Sequence, residues 1–368
     1  MPQGLTHMNT TFLTKVARAG LKKTDALLGR LISIRPTLDT MAMRPYQLHL
    51  ELTNLCNSDC VFCPYQYQER AHATMPDDIF EKAVGDFIAC GGGSVALTPI
   101  VGDALIDPQF LDRVRYLKSF PQIDRIWFTT NAILLDKFGI NELVTSGITA
   151  MNISTAGFEE AMYRRVYRNT SYQRMRRNVL ALLEANSKLA KPLVITIAIR
   201  PDRPLDEVMR DPDFQQVLQY DPILDFTWSF TSANGRIKRE DLPPLMRVRK
   251  VTSKPEACVQ TYNGPIVLTD GTVLACSCVA SMDAIVDLGI GNIKNDTLLN
   301  LWQAAQLKKL RESFKAKTLN PTCSTCDMYR NLELDRTSEG RQRAEASRAR
   351  SRGEVVKRAA VRLPFQGG

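Results

Sequence analysis

The chain has 368 residues, 44% hydrophobic and 24% charged, with 48 Lys and Arg against 39 Asp and Glu for a net charge of +9. At ~150 residues per domain this allows two or three domains, and the apolar content is too high for disorder as a whole. No apolar run reaches the ~18 residues that span a bilayer, so no transmembrane segment is expected.

Residues 1–43 read as a basic arm. Phe12, Leu13, Val16, Ala19, Leu27, Leu28, Leu31 and Ile32 fall at roughly helical spacing, and Pro36 ends the pattern. Lys15, Arg18, Lys22 and Lys23 precede no apolar stretch with a small-residue cleavage site, so no signal peptide is expected.

From 44 to 235 strand-like and helical segments alternate. The strands are expected at Gln47–Thr53, Ser94–Thr98, Arg125–Thr129, Ala150–Ser154, Leu193–Ile199 and Asp225–Phe230. Between them come helices at Asp77–Ala89, Pro108–Ser119, Leu135–Thr145, Ser171–Leu189 and Leu205–Gln219. Strict alternation predicts an α/β fold with parallel strands under covering helices. The span is short for an eight-fold barrel, which takes roughly 250 residues, so a partial (β/α)6 barrel fits.

A bridge at 236–257 is broken by Pro243-Pro244 and Pro255, and a second unit fills 258–332. There Pro265–Thr269 and Thr272–Ala275 flank Asp270-Gly271, a hairpin signal, and Thr297–Phe314 reads as a helix. The tail, 333–368, is rich in Arg, Ala, Ser and Gly. Residues 336–362 carry +6 and residues 1–40 carry +4, leaving −1 elsewhere. A near-neutral body is a poor footprint for nucleic-acid binding, so no such partner is expected.

Three of the nine cysteines lie within eight positions, which points to thiolate metal ligands in a reducing, cytoplasmic setting rather than a disulfide framework. Cys56-Asn-Ser-Asp-Cys60-Val-Phe-Cys63 follows the first strand, at the C-terminal mouth of the barrel. Three thiolates on one loop can hold three irons of a 4Fe–4S cubane and leave the fourth open to a chelating molecule. A structural zinc site wants four ligands, and this loop supplies three. With only His7, His49 and His72 in the chain, and no visible nucleophile–base pair, simple acid–base catalysis is poorly supported.

This loop resembles the signature of the radical S-adenosylmethionine (SAM) superfamily, and the resemblance extends over residues 45–330. It implies that SAM chelates the open iron and is cleaved to a 5′-deoxyadenosyl radical, which abstracts hydrogen from a substrate carbon. It also implies an external one-electron reductant of flavodoxin or ferredoxin type. Phe62 is similar to the family's aromatic beside the adenine. Val101-Gly102-Asp103-Ala104 resembles the Gly-Gly-Glu-Pro segment, with one Gly lost, Glu shortened and Pro replaced; the resemblance gives Gly102 and Asp103 the SAM ammonium. Ser154 stands where the family places a ribose contact, and Arg200 ends the fifth strand at the same rim. Tyr163–Arg168 resembles the Tyr–basic–Val/Ile–Arg segment before the fourth helix. Asn131 is similar to a family Asn-Gly turn, with Ala132 in place of Gly.

Cys258, Cys276, Cys323 and Cys326, with Gly289–Ile293 and Leu298–Trp302 between them, resemble the auxiliary-cluster domains called SPASM and Twitch. No cysteine follows Cys326, which argues for the shorter Twitch form: a small α+β domain with a second, fully ligated 4Fe–4S cluster. A four-cysteine zinc knuckle is the competing reading. Cys278 is a spare thiol, an alternative ligand or a relay group, and Cys90 is most simply a helix residue.

The cysteine framework is most similar to Twitch-type dehydrogenases that oxidise a secondary alcohol of an aminocyclitol. The substrate is therefore expected to be a small biosynthetic intermediate such as an amino sugar or cyclitol. A maturase of ribosomal precursor peptides is the alternative, and an iron–sulfur electron carrier or sensor the non-enzyme one. The terminal Gly367-Gly368 is also found in the radical SAM GTP cyclase of molybdenum-cofactor synthesis. Its auxiliary cysteines are spaced differently, so the shared ending is read as coincidence.

Overall fold

The computed structural model describes residues 35–330 except 99, 252, 255–256 and 277–281. The amphipathic pattern of the N-terminal arm, the Arg-rich tail and Cys278 lie outside the described residues. Among those described, no helix is long and apolar enough to cross a membrane.

The strands are β1 Gln47–Leu50, β2 Gly93–Ala96, β3 Ile123–Thr130, β4 Ala150–Thr155, β5 Val194–Ile199, β6 Ile223–Phe226, β7 Ser229–Phe230, β8 Arg247–Val248, β9 Ile266–Val267, β10 Thr272–Leu274 and β11 Gly289–Asn292. The helices are α1 Arg35–Met43, α2 Asp77–Ala89, α3 Phe110–Lys118, α4 Ile140–Thr145, α5 Glu160–Tyr167, α6 Tyr172–Ser187, α7 Leu205–Arg210, α8 Pro212–Leu218, α9 Gln260–Asn263, α10 Met282–Leu288, α11 Leu298–Gln303, α12 Ala305–Ala316 and α13 Pro321–Thr325.

Strands β1 to β6 pair in parallel in chain order, as the alternation predicts. Side chains alternate between two environments along each strand. Phe128, Ile153, Ile197 and Leu224 are buried in one core with Phe87, Phe110, Val179, Leu182 and Phe214 from the covering helices. Their alternates Thr129, Asn152, Ser154, Thr196 and Asp225 are only half-buried. A two-residue period therefore gives the sheet an apolar outer face and a polar concave one.

The second unit is built onto this sheet. Strand β9 pairs in parallel with β1, placing His49 opposite Ile266 and Leu50 opposite Val267, and β10 and β11 follow antiparallel. The result is one nine-stranded sheet in the order β11-β10-β9-β1-β2-β3-β4-β5-β6. The expected Asp270-Gly271 hairpin forms, with Gly271 at φ +88°. The indole of Trp302 donates to the Met41 carbonyl at 3.2 Å, which docks α11 on α1.

Several helices differ from expectation. Pro36 stands near the start of the described helix α1, where its missing N–H costs nothing, and the pattern it is expected to end lies outside the described residues. Gly139, at φ +75°, divides the 135–145 segment into a 3-10 turn and α4. Asp211-Pro212 divides the 205–219 segment, with the Asp211 carboxylate capping the Phe214 N–H. A break at Ala304 separates α11 from α12. Helix α5 was not anticipated as an element, and the sixth strand begins two residues early and stops at Phe226.

Candidate cluster and cofactor site

The 56–63 loop is held by its main chain. The Val61 N–H donates to the Val166 carbonyl of α5 at 2.9 Å, and the Cys63 N–H donates to the Cys60 carbonyl at 3.0 Å. Asn169 donates to the Asn57 carbonyl at 2.6 Å, and Asn131 Nδ2 to Asn57 Oδ1 at 2.6 Å. The Tyr65 hydroxyl accepts from the Cys56 N–H at 3.1 Å.

Cys60 is buried, Cys56 and Cys63 are partly so, and Cys60 feels the charge of both the others. Burial, then the Asp103 carboxylate, pushes the Cys56 thiol up to about 12. Burial, then Cys63 and Cys56, raises Cys60 further, and burial also raises Cys63. Against this, N–H groups of Ser58 and Asn57 point at the Cys56 sulfur, that of Tyr65 points at Cys63, and the Arg200 guanidinium acts on Cys60 and Cys63. A thiol so buried loses its proton only if a cation replaces it. Thiols that already receive N–H bonds are the donor chemistry iron–sulfur centres use, although among the described residues no three such side chains are grouped as they would be around one metal ion. The chemistry of the donor set suits a cluster.

The other expected SAM contacts gather around this loop. Gly102 has φ +119°, and a Cβ there would sit 2.7 Å from the Leu55 carbonyl oxygen and 3.0 Å from that of Thr53. Only glycine lets the 101–103 turn lie against the entry to the cysteine loop. The Asp103 N–H donates to the Leu55 carbonyl at 2.8 Å. The Asp103 carboxylate is buried and already occupied: it accepts from Thr130 Oγ1 at 3.0 and 2.9 Å, the Asn131 N–H at 2.8 Å and the Leu105 N–H at 3.1 Å. The one Thr130 hydroxyl proton is shared between the two oxygens, so three donors hold the carboxylate in place. Its place in this structure is to tie the ends of β2 and β3 together.

Ser154 Oγ shares a 2.7 Å hydrogen bond with the Tyr167 hydroxyl. The Phe62 ring stacks on Phe230 at 4.6 Å and meets the edge of Tyr167 at 5.6 Å. The Arg200 guanidinium lies 5.6 Å from the Phe62 ring centre. Among the described residues no carboxylate pairs with Arg200. The arginines of the 163–168 segment are engaged at the surface, Arg164 with Glu160, Arg165 with Asp202 and Arg168 with Asp59. Its two tyrosines turn inward.

Ala132 has φ +65°, the left-handed conformation that the expected glycine would adopt without strain. Asn178 holds it there by donating to the Ala132 and Ile133 carbonyls, each at 3.0 Å. Ala132→Gly should therefore stabilise the protein by up to about 1 kcal/mol, read as a higher chemical-denaturation midpoint with an unchanged slope.

The thiols of the second set act on one another electrostatically. Cys323, at 8% exposure, is pushed up to about 12 by burial and then by Cys276, Cys326 and Cys258. Cys326 rises to about 11 for the same first reason, opposed by the Met328 N–H, which donates to its sulfur at 3.3 Å. The sulfur of Cys258 receives N–H groups of Arg330 and Gln260. Asn320 accepts from the Cys323 N–H at 2.7 Å, and Lys254 Nζ donates to the carbonyls of Cys323 and Ser324. Cys90 is the C-cap of α2 and lies apart from both sets in the fold.

Sequence reasoning missed the ties between the two units. Asp327, next to Cys326, accepts from the Thr231 hydroxyl at 2.7 Å, and Thr231 follows the Phe230 that stacks on Phe62. Glu51, fully buried, pairs through both oxygens with Arg70 at 2.6 and 2.7 Å and accepts from the Thr269 N–H at 3.4 Å. Contacts between residues so far apart in the chain leave no local signal.

An open parallel α/β sheet with one thiol set at its C-terminal rim and a second on an appended unit defines an iron–sulfur enzyme of the partial-barrel type. Residues 50–213 match the radical SAM superfamily, so the chain carries that domain, and residues 258–327 match an iron–sulfur cluster-binding domain, SPASM. Its cofactors are 4Fe–4S clusters and SAM. The chain is 28% identical over 163 residues to GTP 3′,8-cyclase of Clostridium perfringens, 43% of this chain and 49% of that one. It is 25% identical over 182 residues to GTP 3′,8-cyclase of Aeromonas hydrophila, 48% of this chain and 52% of that one. It thus spans about half the length of the curated relatives it matches. By structure it is similar to Streptococcus suis SuiB bound to the precursor peptide SuiA, with TM-score 0.57 and 14% identity over 83% of this chain and 74% of that one. It is also similar to anSMEcpe with bound AdoMet, with TM-score 0.54 and 14% identity over 80% of this chain and 89% of that one. These likenesses show the fold.

Proposed function

We propose that this radical SAM enzyme oxidises, by dehydrogenation or a related modification, a small polar biosynthetic intermediate such as an amino sugar or cyclitol. In this reading Cys56, Cys60 and Cys63 hold the SAM-cleaving cluster, and Cys258, Cys276, Cys323 and Cys326 hold a second one. Bound there, the clusters supply one-electron cleavage of SAM and a sink for the electron left on the substrate. The observation that carries the reading is the second set of four thiols, with Cys258, Cys276 and Cys323 buried, Cys326 partly so, and Cys323 under the electrostatic influence of the other three. Four protein ligands leave no iron open for substrate, so that centre suits electron transfer.

The chain's own residues supply position and charge. Phe62 forms a wall for the adenine, Gly102 and its neighbouring main chain face the SAM ammonium, and the Ser154–Tyr167 pair is placed for the ribose. Arg200 brings a cation to the methionine carboxylate. Asp103 acts through the turn it braces. The concave face offers Thr129, Asn152, Thr196 and Asp225, a surface that suits hydroxyl and amine groups better than an apolar substrate. An external flavodoxin- or ferredoxin-type protein in a reducing cytoplasm would supply the first electron. Modification of an acidic peptide is the second reading, favoured by the +6 charge of residues 336–362.

Anaerobically reconstituted protein should bind about eight irons and eight acid-labile sulfides per chain. About four irons with one zinc would keep SAM cleavage and remove the electron sink, and with it the dehydrogenase reading. With both clusters present, SAM, a reductant and candidate amino sugars or cyclitols should yield 5′-deoxyadenosine and a product lighter by two hydrogens. Turnover of peptides alone would favour the second reading.

A further inference from the structure

The bridge between the two units carries an uncompensated positive charge. Residues 242–254 hold Arg247, Arg249, Lys250 and Lys254 and no acidic residue. Arg236, earlier in the bridge, is paired with Glu69 at 3.1 Å. Arg247 and Lys250 are exposed, and among the described residues no carboxylate pairs with either. Leu245, 46% exposed, stands two positions before Arg247 and is among the few large apolar side chains on the described surface. Its turn is fixed: the Arg239 guanidinium donates to the carbonyls of Leu242 at 2.9 Å and Pro244 at 2.7 Å. An apolar point beside unpaired cations, on a turn already set, suits a small acidic protein at low entropic cost.

The strip is joined to both thiol-bearing segments. Strand β8 pairs with β7, with Arg247 opposite Ser229 and Val248 opposite Phe230. The two-residue period turns Val248 to the core side with Phe230, which stacks on Phe62 of the first cysteine loop, and sends Arg247 and Arg249 to the other side. There Arg249 donates to the Ser229 carbonyl at 3.3 Å and to the sulfur of Met328, two residues beyond Cys326, at 2.9 Å. Lys254 donates to the carbonyls of Cys323 at 2.8 Å and Ser324 at 2.6 Å. Two cations of the strip thus anchor it against the second set, and the other two, with Leu245, face solvent.

We propose that Leu245, Arg247 and Lys250 form the docking surface for an acidic one-electron carrier that exchanges electrons with the second set. The inference rests on the proposed role of that set as an electron sink. In that reaction a substrate alcohol gives a hydrogen atom to the 5′-deoxyadenosyl radical, and the substrate radical then loses a proton and an electron as the C=O bond forms. The electron left in the second set has to pass to an oxidised flavin or iron–sulfur carrier before the next turnover. A carrier of negative surface charge is steered to a cationic strip, and a contact of a few side chains suits the brief encounters of electron transfer.

The probe is a bacterial flavodoxin of negative net charge. Reconstituted, fully reduced protein is mixed with oxidised flavodoxin in a stopped-flow cell, and semiquinone formation is followed across a salt series. The double variant Arg247→Glu, Lys250→Glu should react about tenfold more slowly than wild type at low salt and lose the fall in rate with added salt, its iron content unchanged. A small neutral quinone should oxidise both proteins at the same rate. Carbodiimide cross-linking of wild-type protein to flavodoxin, mapped by mass spectrometry, should join Lys250 to a flavodoxin carboxylate, and it serves if the double variant fails to fold. Equal flavodoxin rates in the two proteins, or cross-links confined to other lysines, overturn the docking surface. Zinc in the second set overturns the electron-sink reading and the inference together, whereas a full iron count with equal rates overturns the inference alone.

Discussion

Cys60→Ala will reduce 5′-deoxyadenosine formation from SAM to background, whereas Cys323→Ala will retain part of it and lose the oxidised product. The difference follows from the two thiol sets. In the proposed assignment Cys60 is the central ligand of a three-thiol loop, and its loss leaves two sulfurs, too few to hold a cubane with one open corner. Cys323 belongs to a set of four whose proposed task begins after hydrogen abstraction. Its removal should leave the first site assembled, with Val61, Asn57 and Cys56 still held by α5, Asn169 and Tyr65. The check is anaerobic incubation with SAM, dithionite and substrate, with 5′-deoxyadenosine and product quantified by mass spectrometry. Full product yield from the Cys323 variant would remove the electron-sink role from the second set.

Glu51→Ala will destabilise the protein by roughly 3–5 kcal/mol, because it leaves the Arg70 guanidinium without its buried bidentate partner. Arg70 is 12% exposed and Glu51 wholly buried, so solvent cannot take over the lost contact. The midpoint of thermal unfolding should fall on the order of 10 °C. Because Glu51 follows β1 and also meets Thr269 beyond β9, the loss should loosen both the loop that carries the first thiols and the hairpin of the second unit. Cluster absorbance in the variant should therefore bleach faster in air than in wild type. Unchanged unfolding and bleaching would mean that the ion pair is matched by an equally good solvated state.

The sequence made some of this legible for physical reasons that can be stated. The βα alternation appears as a change of period from two to 3.6, so the six parallel strands were readable. The C-x3-C-x2-C spacing is itself a geometry, since one short loop can present three sulfurs only in a narrow range of ways. The helix break at Asp211-Pro212 had a local signal that went unused. Pairing of β9 with β1 joins residues more than two hundred positions apart, and no local pattern encodes it. The enclosure of Asp103 was equally hidden: its acidic side chain reads as a ligand until Thr130, Asn131 and Leu105 are seen to fold onto it. Tyr163 stood in a segment noted for its resemblance, yet the sequence could not say which of its six side chains point inward.

The parallel pairing of β9 with β1 bears on how such enzymes can be recombined. Because His49 lies opposite Ile266 and Leu50 opposite Val267, the boundary between the two matched families is a line of main-chain hydrogen bonds. An auxiliary unit moved in from another member would have to present a strand of the same register, or leave the apolar β1 as an uncovered edge open to aberrant pairing. Gene fusion alone is thus insufficient to exchange these units; the seam has to be inherited with them.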